Sequence, residues 1–246
     1  MITLYDFDSK TKHPWNVSVW KARYSLNFKK VPYKTIWIEY PDIEPTMKKL
    51  GARPTSLRGD GSPMYTLPVI HDDSTGAIIS DSALIAEYLD KTYPTSTELI
   101  PRGTHTLQAA FRGLIESKMF PLGLLVVPEL IREVVNGPSA EYMTSHYLPK
   151  FGISDLATWT LSEEQRIAEW DKVKELLGSV HVMMKAEDKW IMGDEISFAD
   201  FAVASVFEMI KAAVGKGSED WKRVLSWHDG RWDRMMTELE RYRAIY

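Results

Sequence analysis

Polar and apolar positions follow two rhythms in the first ninety residues of this chain. "MITLYDF" (1–7) reads as a strand, and "YKTIWIE" (33–39) alternates like a half-buried one. Between them, Val17, Trp20, Tyr24 and Phe28 recur at the spacing of one helical face, which predicts a helix over 17–29. "DIEPTMKKLG" (42–51) predicts a short helix closed by Gly51. Residues 52–66 carry Pro and Gly and read as a loop. "LPVIHD" (67–72) and "AIIS" (77–80), joined by a turn at Ser74, Thr75 and Gly76, form a hairpin pattern. "DSALIAEYLDKTY" (81–93) is amphipathic, with Leu84, Ile85, Tyr88 and Leu89 on one face. The order β-α-β-α-β-β-α predicts a small α/β domain with a mixed sheet.

Beyond this the rhythm changes. Residues 94–103 have the Pro, Ser and Gly of a linker, and from 104 onward the pattern is helical throughout. Residues 104–120 and 122–136 read as one long helix interrupted by Pro121 and Pro128, where the missing donor and the ring clash predict kinks. Residues 162–187 place Ile167, Trp170, Val173, Leu177, Val180 and Met184 at helical spacing. Segments 197–214, 218–227 and 230–243 complete the set. The expected division is an α/β domain over 1–93, a linker over 94–103 and an all-helical domain over 104–246. Within the last, Ser197 stands three residues before Asp200, with Ile196 in front and Phe201 behind. That is a capping box with a hydrophobic staple, and its role is structural.

Composition narrows the function. The chain has 246 residues, 44% of them hydrophobic and 26% charged, and a net charge of −4, which is an ordinary soluble composition with room for two domains. A non-specific nucleic-acid surface is a poor match to that charge. The six histidines are scattered without metal-ligand spacing, so no metal is expected. There is no cysteine, which excludes disulfides, thiolate metal sites and any step that uses a protein thiol. Thiol chemistry on a bound thiol stays open. "MITLYDFDSK" lacks a basic n-region and a long apolar stretch, and "PLGLLVVP" (121–128) is too short to span a bilayer. A cytoplasmic protein without a membrane partner is the expectation, and the "NVS" sequon at 16–18 is then a chance match.

Three segments carry candidate chemistry. In "YTLPVI" (65–70) a proline enters a strand. Either Pro68 is an ordinary trans edge proline, or a cis bond before it turns the Leu67 N–H and C=O outward toward a ligand's peptide group. In "SDSALIAEYL" (80–89), Asp81 and Ser82 open a helix. They are either a simple N-cap or a clamp for a zwitterion, with Ser82 and the helix N–H groups on a carboxylate and Asp81 on an ammonium. The third segment, "KHPWNVSVWKARYSL" (12–26), puts Asn16 and Ser18 at the start of the first helix, where unpaired N–H groups favour an anion. Set side by side in a thioredoxin-like arrangement, these segments suit a short peptide with a free amino-acid head, a backbone amide and a thiol.

These motifs in this order resemble the cytosolic glutathione transferases over essentially the whole chain. The likeness is greatest to the fungal etherase-related class, FuA. That class starts with a pattern similar to S-P-W-S-P-N-T-W-K-T-R-Y-A-L, followed by V-E-Y-P-D-I and T-L-P-V-I segments. The matching stretches here are "HPWNVSVWKARYSL", "IEYPDI" (38–43) and "TLPVI" (66–70). The resemblance implies a glutathione site in which Leu67, flanked by Thr66 and a cis Pro68, pairs with the cysteinyl backbone. Asp81 and Ser82 would hold the γ-glutamyl head, and Lys48, Lys49 and Arg53 are the candidate cations for the glycyl carboxylate. It also implies a homodimer and a second pocket between the domains, lined by Met119, Phe120 and Leu122 with Trp15 or Trp20. Aromatic xenobiotics, polyphenols or wood-derived aromatics would enter that pocket, either conjugated or cleaved in detoxification or merely sequestered, as by a ligandin. A regulatory or scaffolding protein that borrowed the fold is a third reading.

One position departs from the family pattern. Counting back from Arg23 and Leu26, the family's serine falls on Asn16. Asn offers an N–H donor to a thiolate but cannot lose a proton or act as a nucleophile. Ser18, two residues on, is the alternative contact, and a plain helix cap is the alternative role for Asn16.

Overall fold

The computed structural model describes residues 1–246. Its first part is a four-stranded mixed sheet flanked by helices: β1 (Ile2–Phe7), α1 (Val17–Phe28), β2 (Tyr33–Ile38), α2 (Ile43–Leu50), β3 (Ser56–Leu57), β4 (Pro63–Met64), β5 (Val69–Asp72), β6 (Ala77–Ser80) and α3 (Ser82–Thr92). The order across the sheet is β2-β1-β5-β6, with β1 parallel to β2 and the other pairs antiparallel. This is the thioredoxin-like arrangement expected. β3 and β4 form a separate small hairpin inside the stretch read as loop, and Arg58 ties it to Glu44 of α2 at 2.6 Å.

The second part is helical: α4 (His105–Ser117), α5 (Phe120–Glu129), α6 (Gly137–His146), α7 (Glu163–His181), α8 (Phe198–Val214) and α9 (Glu219–Leu239). The long helix expected over 104–136 is instead two helices and a π turn. The chain breaks at Lys118–Met119, and Pro121 stands in the first turn of α5, where its missing donor costs nothing. Pro128 lies inside α5, and a π turn over Leu130–Val134 follows it. α6 had no counterpart in the sequence reading. α9 contains the break expected between its two halves, with His228, Asp229 and Gly230 in the left-handed region at φ 53°, 59° and 67°.

α1 is buried almost all round because the sheet and α3 lie on one side of it and α8 on the other. Its buried set runs from Val19 to Leu26 and includes Lys21, Arg23 and Ser25. The Tyr24 ring stacks on Phe201 of α8 at 5.3 Å, and its hydroxyl donates to Glu208 at 2.7 Å. On α3 the core face is Ile85, Ala86 and Leu89; Leu84, expected on that face, is 52% exposed, because it lies about 100° around the helix from Ile85.

The capping box is present. Asp200 Oδ2 accepts from Ser197 N–H at 2.8 Å, and Oδ1 accepts from Ile191 N–H at 2.8 Å, all beneath a fully buried surface. Asp200→Ala leaves both N–H groups unpaired and should lower unfolding stability by about 2–4 kcal/mol in urea titration. A loss below ~0.5 kcal/mol would show that this turn contributes little.

Candidate functional site

The sheet's register brings the three candidate segments to one edge. Tyr5 pairs with Val69, and Val69 pairs with Ser80. The exit of β1, the entrance of β5 and the exit of β6 therefore share one end of the sheet. From there the chain continues into Asn16, comes in from Leu67–Pro68, and leaves through Asp81 and Ser82. A hydrogen bond from Asp81 N–H to Pro68 C=O, 3.3 Å, joins the second and third directly.

The turn between β1 and α1 is held on the helical domain. Lys10 donates through its backbone N–H to Val134 C=O at 2.9 Å and through Nζ to Arg132 C=O at 2.7 Å, both in the π turn. Ser9 Oγ accepts from His13 N–H and donates to His13 C=O, each at 2.9 Å. Trp20 Nε1 donates to Pro14 C=O at 3.1 Å. So fixed, Asn16 caps α1, its Oδ1 accepting from Ser18 N–H at 2.9 Å and Val19 N–H at 3.3 Å. Only the oxygen of an amide accepts, so the cap decides which way the group faces. Nδ2 makes no hydrogen bond within the chain. The cap therefore occupies only the oxygen end of the Asn16 amide. Ser18, in the first turn, is half-buried.

The Leu67–Pro68 bond is cis. Leu67 is 3% exposed, yet no hydrogen bond within the chain uses its N–H or its C=O. Buried backbone groups are almost always paired, so this pair of orphans is a specific mark of a binding edge. Thr66 Oγ1 shares a hydrogen bond with Thr55 Oγ1 at 2.8 Å.

Asp81 stands at φ +83°, rare for a residue with a Cβ. Its Oδ1 caps α3 by accepting from Ala83 N–H at 2.8 Å and Leu84 N–H at 3.2 Å, while Oδ2 has no partner in the chain. Ser82 beside it is 2% exposed. Of the three candidate cations, Lys48 is paired with Glu44 at 2.7 Å, and that contact raises its pKa. Lys49 lines a different depression, with Asp8 and Glu39. Arg53 shares a cavity of about 690 Å³ with Thr55, Ser80 and Asp81, so it stands nearer the Asp81 end than expected.

The apolar residues expected to line a second pocket separate into two groups. Trp15, Trp20 and Leu122 are core, at 3%, 0% and 1% exposure, which corrects their assignment to a ligand surface. Trp15 packs on Phe7 and Trp20 on Tyr24, at 5.4 and 5.2 Å between ring centroids. Their polar ends are spent on backbone carbonyls of the turn they brace. Met119 is half-buried against the core. Phe120 is 58% exposed and meets Phe151 at 5.1 Å.

Sequence reasoning did not single out the polar face of α4, which meets Asp81 and Lys21. Gln108, Arg112 and Glu116 recur every four residues along one face, a visible spacing of polar groups. Arg112 Nη1 reaches Asp81 Oδ1 at 3.5 Å, and Glu116 pairs with the buried Lys21 of α1 at 2.9 Å.

Comparison with known proteins agrees along the whole chain. The family model for the glutathione S-transferase C-terminal domain matches residues 106–242, and that for the N-terminal domain matches residues 18–92. A glutathione S-transferase-like protein, ustS of Aspergillus flavus, is 30% identical over 211 residues, covering 79% of this chain and 74% of its own. A glutathione S-transferase of Ceriporiopsis subvermispora, crystallised in complex with glutathione, superposes with a TM-score of 0.92 at 38% identity, over 100% of this chain and 98% of its own. Glutathione transferase GSTFuA3 of Phanerochaete chrysosporium gives a TM-score of 0.90 at 34% identity, over 100% and 98%.

Proposed function

The chain belongs to the glutathione S-transferase family, and from that premise we propose that it joins glutathione to electrophilic aromatic compounds or cleaves aromatic ethers with it. The observation that carries this reading is the buried Leu67 backbone, unpaired at both N–H and C=O, between Asn16 and Asp81 at one end of the sheet. An extended peptide gives and accepts one hydrogen bond there. The Asp81–Ser82 turn takes its amino-acid head, and the thiol lies at the N-terminus of α1. Of the three candidate cations for the far carboxylate, Arg53 opens on the same cavity as Ser80 and Asp81, whereas Lys48 is held by Glu44 and Lys49 lines a separate depression.

Asn16 Nδ2 is the donor that favours the thiolate in this account, with the Ser18 hydroxyl as the second contact. A free thiol titrates near pH 8.5, and lowering that by about two units needs roughly 2.7 kcal/mol. A hydrogen bond to a charged group supplies about 1.5–3 kcal/mol and the helix N-terminus about 0.3–1 kcal/mol. One amide and one helix end together supply about 1.8–4 kcal/mol, a range that spans the requirement. The chain has no cysteine, so the reacting sulfur is the substrate's own. Steady-state kinetics with glutathione and an aryl halide, an isothiocyanate and a β-aryl ether test the activity. Turnover of at least one is expected, and none with all three contradicts it.

A second reading rests on Asn16 itself. It orients and donates but cannot move a proton, which suits a ligandin that sequesters xenobiotics or polyphenols in detoxification with little turnover. In either reading Phe120 and Met119 serve the aromatic ligand. Phe120→Ala should leave stability within about 0.5 kcal/mol, because the ring is 58% exposed. It should weaken displacement of a hydrophobic dye by aromatic ligands about three- to tenfold. An unchanged displacement curve would put the ligand elsewhere. No helix is long and apolar enough to cross a membrane. A cytoplasmic homodimer is the proposed working form, and the exposed Leu84 and Leu107 on α3 and α4 favour a second copy there.

A further inference from the structure

Past α9 the chain turns through Glu240–Tyr242 and returns to the first domain. Asn27 Nδ2, near the end of α1, donates to Tyr242 C=O at 2.7 Å and to Ala244 C=O at 2.9 Å, and Tyr33 Oη donates to Ala244 C=O at 2.9 Å. Arg243, held between those two carbonyls in sequence, reaches Glu208 of α8. Its Nε lies 2.7 Å from Oε1, and its Nη2 donates to Oε2 at 3.0 Å. Glu208 is 2% exposed, and Tyr24 of α1 donates to the same Oε1 at 2.7 Å. Lys211 Nζ stands 3.8 Å from Oε2 and adds charge, but only the guanidinium fork adds direction.

The fork leads back to the turn that carries Asn16. The Arg243 guanidinium lies over the Trp20 ring, 5.8 Å from its centroid, within cation–π range. Trp20 is fully buried and grips that turn twice: Nε1 donates to Pro14 C=O at 3.1 Å, and its backbone N–H donates to Asn16 C=O at 3.0 Å. His13, whose ring meets Trp20 edge-on at 6.4 Å, records the charge behind the turn. Burial first and Arg243 next push its pKa below the ordinary 6.5, with Glu208 opposing. A buried ion pair is often no more stabilising than apolar side chains of the same volume. What this pair supplies besides stability is a fixed guanidinium on the ring that braces the turn.

We propose that Arg243 is a positioning residue for the reaction: fixed by Glu208, it holds Trp20, and Trp20 holds the Pro14–Asn16 segment so that the Asn16 amide meets the substrate sulfur at hydrogen-bond distance. This rests on the glutathione reading above. The peptide itself is held elsewhere, by Leu67 and the Asp81–Ser82 turn. Loss of Arg243 therefore leaves glutathione affinity in place and moves the titration of the sulfur.

The test is a pH titration of thiolate absorbance for bound glutathione, with calorimetric glutathione affinity and the pH profile of kcat beside it. Arg243→Gln should raise the bound thiol pKa by about 0.5–1 unit and lower kcat about three- to tenfold on the acid side of the profile, with little loss above pH 9. Glutathione affinity should stay within about twofold of wild type. Arg243→Gln leaves Glu208 buried without its fork, so the double variant Arg243→Gln, Glu208→Gln, which removes both charges, keeps the test open if the single one does not fold. It should show the same shift, and Arg243→Lys a smaller one. Asp200→Ala, which destabilises the helical domain at a distance from Arg243, should leave the thiol pKa at the wild-type value. A wild-type thiol pKa in the folded double variant, or an equal rise in Asp200→Ala, overturns the assignment of Arg243. Absence of glutathione binding by the wild-type protein overturns the glutathione reading itself, and this assignment with it.

Discussion

Asn16→Ala should lower kcat/KM for glutathione conjugation by about 10- to 100-fold at neutral pH, with most of the loss in kcat. The variant removes two things at once. It deletes the Nδ2 donor, and it deletes the cap that Oδ1 provides to Ser18 and Val19 N–H. The cap alone costs about 1 kcal/mol of stability, so a matched variant is needed to separate them. Asn16→Asp keeps an oxygen on the helix and places a negative charge where the thiolate would form. It should hold stability near wild type yet lose at least as much activity as the alanine variant. Asn16→Ser, whose hydroxyl both accepts from the helix and donates to sulfur, should retain most of both. If Asn16→Asp is fully active, Asn16 is a cap and nothing more.

Arg23→Leu should cost about 3–5 kcal/mol of stability, the largest single loss foreseen in the fold. Arg23 and Asp6 are both fully buried and pair at 2.8 Å, with Tyr33 Oη and Thr35 Oγ1 completing the Arg23 contacts at 3.1 and 3.2 Å. Burial raises the Asp6 pKa above its ordinary 3.8, with Arg23 opposing the rise. Because the folded-state value lies above the unfolded one, this group's stabilisation is greatest below about pH 4 and declines as pH rises. Removing Arg23 leaves desolvation unopposed, so the deficit should be larger at pH 8 than at pH 5 in urea unfolding. The double variant Arg23→Leu, Asp6→Leu should recover much of the loss, since Arg23 Nε is already buried without a partner. A deficit independent of pH would mean that Asp6 stays neutral in the wild-type fold. Arg23 lies two turns along α1 from Asn16, so the same pair keeps the helix that aims the amide in place.

Much of this was legible before the fold was known, wherever a local rule and the tertiary context agree. Gly51 closes α2 in the left-handed conformation, at φ +84°, and Ser197 and Asp200 form their box, because both depend on backbone geometry within one turn. Asn16 and Asp81 read as caps for the same reason, and both are. The cis bond before Pro68 was one of two readings of a proline entering a strand.

The misses are tertiary. Trp15 and Trp20 carry the composition of a ligand surface, but their indole N–H groups are needed to brace the turn before α1, and that pulls the rings inward. Leu84 belongs to a local apolar cluster whose inward direction is set by Ile85 and Leu89. Interruptions near Pro121 and Pro128 are expected from the prolines, but periodicity does not imply their form, a break at Lys118–Met119 and a π turn over Leu130–Val134. Arg112 was overlooked because its contact is with Asp81 at the start of α3, which faces it only once the domains meet. Its place one turn after Gln108 and one before Glu116 is visible in the sequence; the partner is not.

The central claim is that the neutral amide of Asn16 holds the substrate sulfur as a thiolate. The direct measurement is a pH titration of thiolate absorbance for bound glutathione, in the wild-type protein and in Asn16→Ala. The account expects a bound thiol pKa about two units below the free value of about 8.5, returning most of the way toward it in the variant. An unshifted value in the wild-type protein, or the same depressed value in both, would contradict it.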